Sequence, residues 1–254
     1  VFHNVLEGID ESLTALAMDR DDNNAYNRLL ASGVRLSALV IAHGLSIRGL
    51  PAHPVGAEDI GLHLDGAGNA TRVNLERSSA KLDRSAFHGV PIVTGWFGEG
   101  TDGELALLGR GGSDHTATAL AALLQARRVV LWKDVLGIYP VNPRWGVEST
   151  PIPYLGYAEA IAFSNADATI LHPATVEPVY EMGIPIEIRH LSNHKNGGLK
   201  TIIGPDIEAT PNIKGIACTP RVAYVNAEVR YSQDAARALS DLLQELDEEG
   251  IRIC

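Results

Sequence analysis

Leu108-Gly-Arg-Gly-Gly-Ser-Asp-His-Thr-Ala117 is the stretch whose reading decides the fold. It sets an arginine inside a glycine-rich turn, directly before an alanine- and leucine-rich segment, residues 116–126, that reads as a helix. Glycines let the backbone approach a ligand closely and adopt positive φ. The first turn of a helix offers unpaired N–H groups and a positive dipole end to a carboxylate or phosphate. Arg110 adds a planar fork that binds an oxyanion bidentately. The same pattern fits an ordinary strand-to-helix turn with Ser113 or Asp114 as N-cap, so the flanking sequence has to decide between them.

Working outward, residues 105–108 read as a strand leading into the turn. Before them come a buried strand at 90–95 and a polar hairpin-like loop at 99–103. Residues 129–132 form a continuous apolar strand and 184–188 an alternating one. Residues 7–18 and 25–44 read as helices, Pro51 and Pro54 bound a turn, and Gly66-Ala-Gly-Asn69 marks a loop. Strands interleaved with helices predict an α/β fold: a doubly wound, largely parallel sheet with helices on both faces. Ligands in such folds sit beyond the carboxyl ends of the strands, where the motif loops fall.

A boundary is expected near Gly204-Pro205, dividing residues 1–205 from 206–254, with 206–211 a polar, proline-bearing linker. Beyond it, 222–229 reads as a strand. Residues 232–249 read as a helix with Ala235, Leu239, Leu242, Leu243 and Leu246 on one face and Gly250 as its stop. Residues 251–254 begin another strand. Such a βαβ opening cannot bury its own apolar face.

The 254 residues suffice for one large domain and part of a second, and 45% hydrophobic with 20% charged residues is a globular composition. A formal net charge of −10 argues against nucleic acid as a partner, because binding it requires a basic face to displace counterions. No apolar run suggests a membrane span, and the start Val1-Phe-His-Asn-Val lacks the marks of a signal peptide. Cys218 and Cys254 are far apart without histidines at ligand spacing, so neither a zinc site nor a disulfide framework is expected. A cytoplasmic location fits.

Downstream of the glycine-rich turn come Val129-Val-Leu-Trp-Lys-Asp-Val-Leu-Gly-Ile-Tyr-Pro-Val-Asn-Pro-Arg144, then Tyr157-Ala-Glu-Ala160 and Ile170-Leu-His-Pro173. In this order and spacing the segments resemble the aspartokinases of the amino acid kinase superfamily. That family typically shows Gly-Arg-Gly-Gly-Ser-Asp, Trp-Thr-Asp-Val-Asp-Gly-Ile-Tyr with Asp-Pro-Arg, Tyr-Ala-Glu-Ala and Val-Leu-His-Pro. The resemblance implies the amino acid kinase fold, with 206–254 as the start of an ACT regulatory module through which a homodimer or higher homo-oligomer forms. It also implies ATP-dependent phosphorylation, with Mg²⁺, of the L-aspartate side-chain carboxylate to 4-phospho-L-aspartate, the first step of lysine, threonine and methionine biosynthesis.

Under this resemblance Arg110 holds the α-carboxylate, Gly111, Gly112 and Ser113 line the substrate pocket, and Asp114 orients substrate or the active-site cations. Arg110 and Asp114 are the expected catalytic pair, and no protein metal ligand is expected. Lys133, Asp134, Tyr139 and Arg144 bind nucleotide: the aspartate to ribose hydroxyls, the tyrosine ring near adenine, the arginine to phosphate. One cleft is expected between Arg110–Asp114 and Asp134–Arg144. Glu159 and His172 match family positions but read as structural.

Several positions depart from the family pattern. Nothing in residues 1–15 plays the part of its Lys-Phe-Gly-Gly-Thr-Ser. Its Phe-Gly-Glu is Ser32-Gly33-Val34 here, its Gly-Ala-Lys is Asp167-Ala168-Thr169, and the Asp of Asp-Pro-Arg is Asn142. These departures predict very weak or no turnover by residues 1–254 alone, with nucleotide binding retained. The alternatives are a catalytically impaired regulatory or ligand-binding subunit, and a superfamily kinase acting on glutamate derivatives or UMP.

Overall fold

The computed structural model describes residues 2–70, 72–166, 171–192, 198–207, 213–218 and 232–248. The expected strands at 222–229 and 251–254, the Asp167-Ala168-Thr169 departure and Cys254 lie outside the described residues.

Two helices open the chain, α1 (Phe2–Met18) and α2 (Asn23–Ile47). Asp22 starts α2 by accepting the Ala25 N–H at 2.9 Å, the N-cap geometry that satisfies one orphan donor. Contrary to the sequence expectation, α2 is long and apolar enough by length and composition to cross a membrane. In this fold it is a packing helix. Its buried face, with Ala31, Ala38 and Ala42, lies against strands β1 (Ala52–Val55), β3 (Val90–Val93) and β5 (Leu105–Leu108). Asn27 and Arg35 reach from it to protein partners.

Strands β1 and β3 pair in parallel, with Pro54 opposite Ile92 and Pro91 opposite His53. Pro54 marked a turn in the sequence, yet it sits inside β1, whereas Pro91 lies within the strand expected at 90–95. A two-strand ladder leaves sites where a missing N–H removes no ladder bond. The short strand β2 (Asn69–Ala70) runs parallel to β5, and β4 (Phe97–Glu99) antiparallel to it. A four-stranded sheet has the order β6 (Val129–Lys133), β8 (Ile186–His190), β9 (Lys200–Gly204), β7 (Tyr154–Gly156). Strands β6 and β8 run parallel, as do β7 and β9, while β8 and β9 are antiparallel. The architecture is thus mixed α/β with mainly parallel pairing, in separate ladders among the described residues. Helices α3 (Leu75–Lys81), α5 (Tyr157–Asn165), α6 (Glu177–Tyr180) and α7 (Ser232–Glu248) complete it.

Helix α4 (Gly112–Leu123) joins the two halves. Ala121 packs into a core with Leu131, Leu155, Ile186, Ile188 and Ile203, whereas Ala119 and Leu123 pack into another with Leu62, Leu64, Ala106 and Leu108. A helix flanked closely on both sides has room for small residues only, which is why this segment is alanine-rich. The helix begins earlier than residue 116. Gly111 takes the N-cap position at φ 78°, ψ 6°, so Ser113 and Asp114 are already helical and neither is the cap. Across the four-stranded sheet, the buried Glu187 gathers Lys200 at 3.1 Å, Arg128 at 3.6 Å and Arg189. Burial raises its carboxyl pKa, but the bonds to Arg189 and Lys200 outweigh that and hold it below the usual value.

His115, in the first turn of α4, ties three segments together. Its Nε2 accepts the Val73 N–H at 2.9 Å and its Nδ1–H donates to the Ala174 carbonyl at 2.6 Å. Those partners require the neutral ring, and burial pushes its pKa below the ordinary 6.5. The unfolded ring gains a proton near pH 6.5 where the native ring does not. Stabilisation present above that pH is therefore lost as pH falls from 6.5 toward the lowered native value. Thermal melts from pH 7.5 to 5.5 are expected to lose stability more steeply in the unaltered protein than in His115→Gln; equal slopes would contradict this reading. A second expectation concerns Ala119, fully buried between neighbours. Ala119→Leu should lower unfolding free energy by about 1–3 kcal/mol through overpacking, read by urea titration.

Candidate functional site

The glycine-rich turn leaves the C-terminal end of β5 and enters α4. Gly111 is left-handed, and a Cβ there would stand 2.6 Å from His172 Cβ; at Gly112 it would meet Leu108 Cβ at 2.5 Å and Trp96 Cδ1 at 2.8 Å. Both positions therefore require glycine for space, and Gly111 for its φ as well. No side chain caps this end of α4; the Gly112 N–H turns back to the Gly109 carbonyl at 3.1 Å, and the N–H groups of Ser113 and Asp114 remain for an anion.

A cavity of about 1250 Å³ opens over this turn, lined by Gly109 through Asp114 together with Lys133, Trp96 and the start of α2. Arg110 is exposed at its edge, without a hydrogen-bonded or ion-paired partner among the described residues. Asp114, half-buried in the first turn, holds Lys133 Nζ at 2.5 Å. This ion pair fastens the end of β6 to the start of α4.

Trp96 shapes the floor in a left-handed conformation, φ 77°, which is strained for a bulky residue. The conformation is held from both sides: its N–H donates to Thr116 Oγ1 at 3.1 Å, and its carbonyl accepts the Leu108 N–H at 2.7 Å. From α2, the buried Asn27 donates its amide to the carbonyls of Gly68 at 3.0 Å and Leu105 at 3.2 Å. With two carbonyl neighbours the amide orientation is fixed by chemistry. The sequence reading passed over Asn27 and Trp96. The signal available for Asn27 was a polar residue on the apolar face of a helix.

Asp134 and Tyr139 come together in a second cavity of about 380 Å³, which also takes in Pro143, Ser149 and His190. The single cleft expected from the sequence is therefore two neighbouring cavities. They adjoin where β6 ends, because Lys133 is drawn to Asp114 and lines the first while Asp134 lines the second. Arg144 lines neither. Asn142 caps the single 3-10 turn Pro143–Trp145 by accepting the Arg144 N–H at 3.0 Å, and Arg144 is exposed there.

Val34 is half-buried in an apolar cluster with Ala31, Phe97 and Leu107, away from the cavity lining. Glu159 has the structural part expected of it. It accepts the Gly156 N–H at 2.7 Å and the Lys214 ammonium at 2.6 Å. His172 caps the turn Pro173–Thr175 and packs against Gly111. Among the described residues, no group of three or more His, Cys, Asp or Glu is placed to hold a metal ion.

Comparisons with known proteins agree with this geometry. Residues 6–190 match the Amino acid kinase family. The chain is 31% identical over 222 residues to an aspartokinase of Geobacillus stearothermophilus, covering 84% of this chain and 53% of the relative. It is 32% identical over 215 residues to the chloroplastic aspartokinase 1 of Arabidopsis thaliana, covering 82% and 37%. The chain thus spans about half or less of the length of these relatives. Among solved structures, E. coli aspartokinase III in complex with aspartate and ADP (R-state) superposes with a TM-score of 0.69 at 27% identity, over 81% of this chain and 46% of that one. The family match takes in every strand from β1 to β8 and both cavities, and the chain belongs to the amino acid kinase family.

Proposed function

We propose that the chain carries most of an aspartokinase catalytic domain, transferring the γ-phosphoryl group of ATP to the side-chain carboxylate of L-aspartate to give 4-phospho-L-aspartate and ADP. In this reading residues 1–205 form the kinase unit and 206–254 open an ACT-like regulatory unit that mediates homo-oligomer contacts. The protein acts in the cytoplasm, in the first step of lysine, threonine and methionine biosynthesis. The observation that carries the proposal is the convergence of an unpartnered arginine, an uncapped helix N-terminus and a lysine on one cavity, beside a second cavity lined by Asp134 and Tyr139. Likeness to an aspartokinase bound to aspartate and ADP supports it.

The chemistry asks little of a general base, since a carboxylate with a pKa near 4 is already ionised at neutral pH. The protein has instead to bring two anions together and stabilise charge on the transferring group. Arg110 takes the α-carboxylate in its fork, with Gly111, Gly112 and Ser113 against the substrate. Lys133, at the junction of the cavities, offsets phosphoryl charge, and Asp114 keeps its ammonium in place through the 2.5 Å pair. Asp134 accepts from ribose hydroxyls, Tyr139 packs on the base, and Arg144 approaches the phosphates from its exposed turn. A carboxylate oxygen of aspartate forms the new bond to phosphorus as the bond to the β-phosphate oxygen breaks, and ADP leaves with that electron pair. The described residues do not by themselves form a metal site. Mg²⁺ belongs to the nucleotide substrate, as its preference for phosphate oxygens and water dictates.

A second reading, a ligand-binding chain with impaired turnover, is favoured by Val34, which brings no carboxylate to the cavity. Trapping of the acyl phosphate with hydroxylamine separates the two. Aspartate-dependent hydroxamate supports the kinase, and nucleotide binding without hydroxamate supports the alternative. Arg110→Lys keeps the charge but loses the fork, and should weaken aspartate binding by about 2 kcal/mol, roughly thirty-fold, in calorimetry. Lys133→Met should lower kcat by about a hundred-fold or more while leaving aspartate affinity within a few-fold. A matching loss of affinity would assign Lys133 to the amino acid instead.

A further inference from the structure

The smaller cavity contains two polar groups with unused hydrogen-bonding capacity. Ser149 Oγ is buried and has no hydrogen-bond partner among the described residues. A hydroxyl shut away from water without a partner is unfavourable unless a ligand supplies one. His190, half-buried, ends β8. Its Nδ1 accepts the Ser192 N–H at 3.1 Å and lies 2.5 Å from Ser192 Oγ. A nitrogen that accepts from a backbone N–H carries no proton itself, so in the neutral ring the proton sits on Nε2. That Nε2–H is a donor with no protein acceptor among the described residues.

The sheet register puts this donor in the right place. His190 is the β8 partner of Lys133 on β6, and parallel strands direct register partners to the same face. His190 therefore stands beside Lys133 at the carboxyl edge of the strands, where α/β folds bind ligands. Tyr139 and Asp134 line the same cavity.

We propose that Ser149 and His190 read the hydrogen-bonding edge of adenine. Ser149 Oγ accepts from the exocyclic 6-amino group, and His190 Nε2–H donates to a ring nitrogen. This rests on the nucleotide reading of the second cavity. It makes the pocket selective for the base as well as for ribose and phosphate, through residues on two segments that the family motifs do not include.

The test is a fluorescence-competition titration of the full chain with ATP and with purine riboside 5′-triphosphate, which lacks only the 6-amino group. Ser149→Ala should weaken ATP about five- to ten-fold, the worth of one hydrogen bond, and leave the purine analogue unchanged, removing the preference between them. His190→Leu should weaken both ligands about equally, and His190→Gln, which restores an N–H near the Nε2 position, should recover most of the affinity. Parallel losses for both ligands in Ser149→Ala would mean a packing role and overturn the assignment of Ser149. Undiminished binding in His190→Leu, or no recovery in His190→Gln, would overturn that of His190. Failure of the unaltered chain to bind ATP would overturn the nucleotide reading itself, an outcome distinct from ATP binding that ignores both substitutions.

Discussion

The close contact between Gly111 and His172 is the constraint from which the site follows. A left-handed glycine lets the β5–α4 turn lie directly on the Pro173–Thr175 turn, with no space for even a methyl group between them. His115, one helical turn further along, then reaches both Val73 and Ala174 and fixes the three segments in one arrangement. Because that arrangement uses the side chains beneath α4, the N–H groups of Ser113 and Asp114 and the arginine before them stay unspent. The anion-binding character of the turn is a by-product of how tightly its underside is packed.

The Asp114–Lys133 pair extends the same logic sideways. A partly buried ion pair contributes little net stability, since desolvation offsets much of the attraction, but it does fix geometry. It sets a cation where the end of β6 meets the start of α4, on the wall of the larger cavity, while the next residue, Asp134, lines the smaller one. Each chamber has a different wall: backbone donors and guanidinium in the first, an aromatic ring with acceptor-bearing side chains in the second.

Much of this was legible in the sequence, because glycine, arginine and an apolar strand in succession leave few geometric options. The order of the main strands and helices and the turn before α4 follow from local pattern, whereas the placing of Asp134 and Tyr139 in one cavity followed from the family resemblance. The start of α4 was read late, because serine and aspartate so often cap helices that they concealed a glycine doing so. Strands β7 and β9 went unseen, since Tyr154-Leu-Gly156 is too short for periodicity to register. Pro54, read as bounding a turn, hid β1, whereas β3 was legible in spite of Pro91. Asn27, Ser149 and His190 depend on carbonyls, loops and strand registers far away in the chain, which no local window contains. Arg144 lies in neither cavity because Asn142 turns the backbone there, an effect of one amide that the motif alone does not convey.

The stretch after β9 has a mechanical consequence. Pro205 accepts from Tyr154 Oη at 2.7 Å, Asp206 accepts the Ala158 N–H at 3.1 Å, and Lys214 grips Glu159. Both ends of the intervening segment are thus pinned to the start of one helix, making it a closed loop. Closure entropy grows only as the logarithm of loop length, about 0.6 kcal/mol for each doubling. Insertions between the two anchors are therefore tolerated far more readily than loss of either one. The point at which force from the C-terminal side enters the α/β fold is set by Asp206 and Lys214, and it stays fixed however long the segment between them becomes.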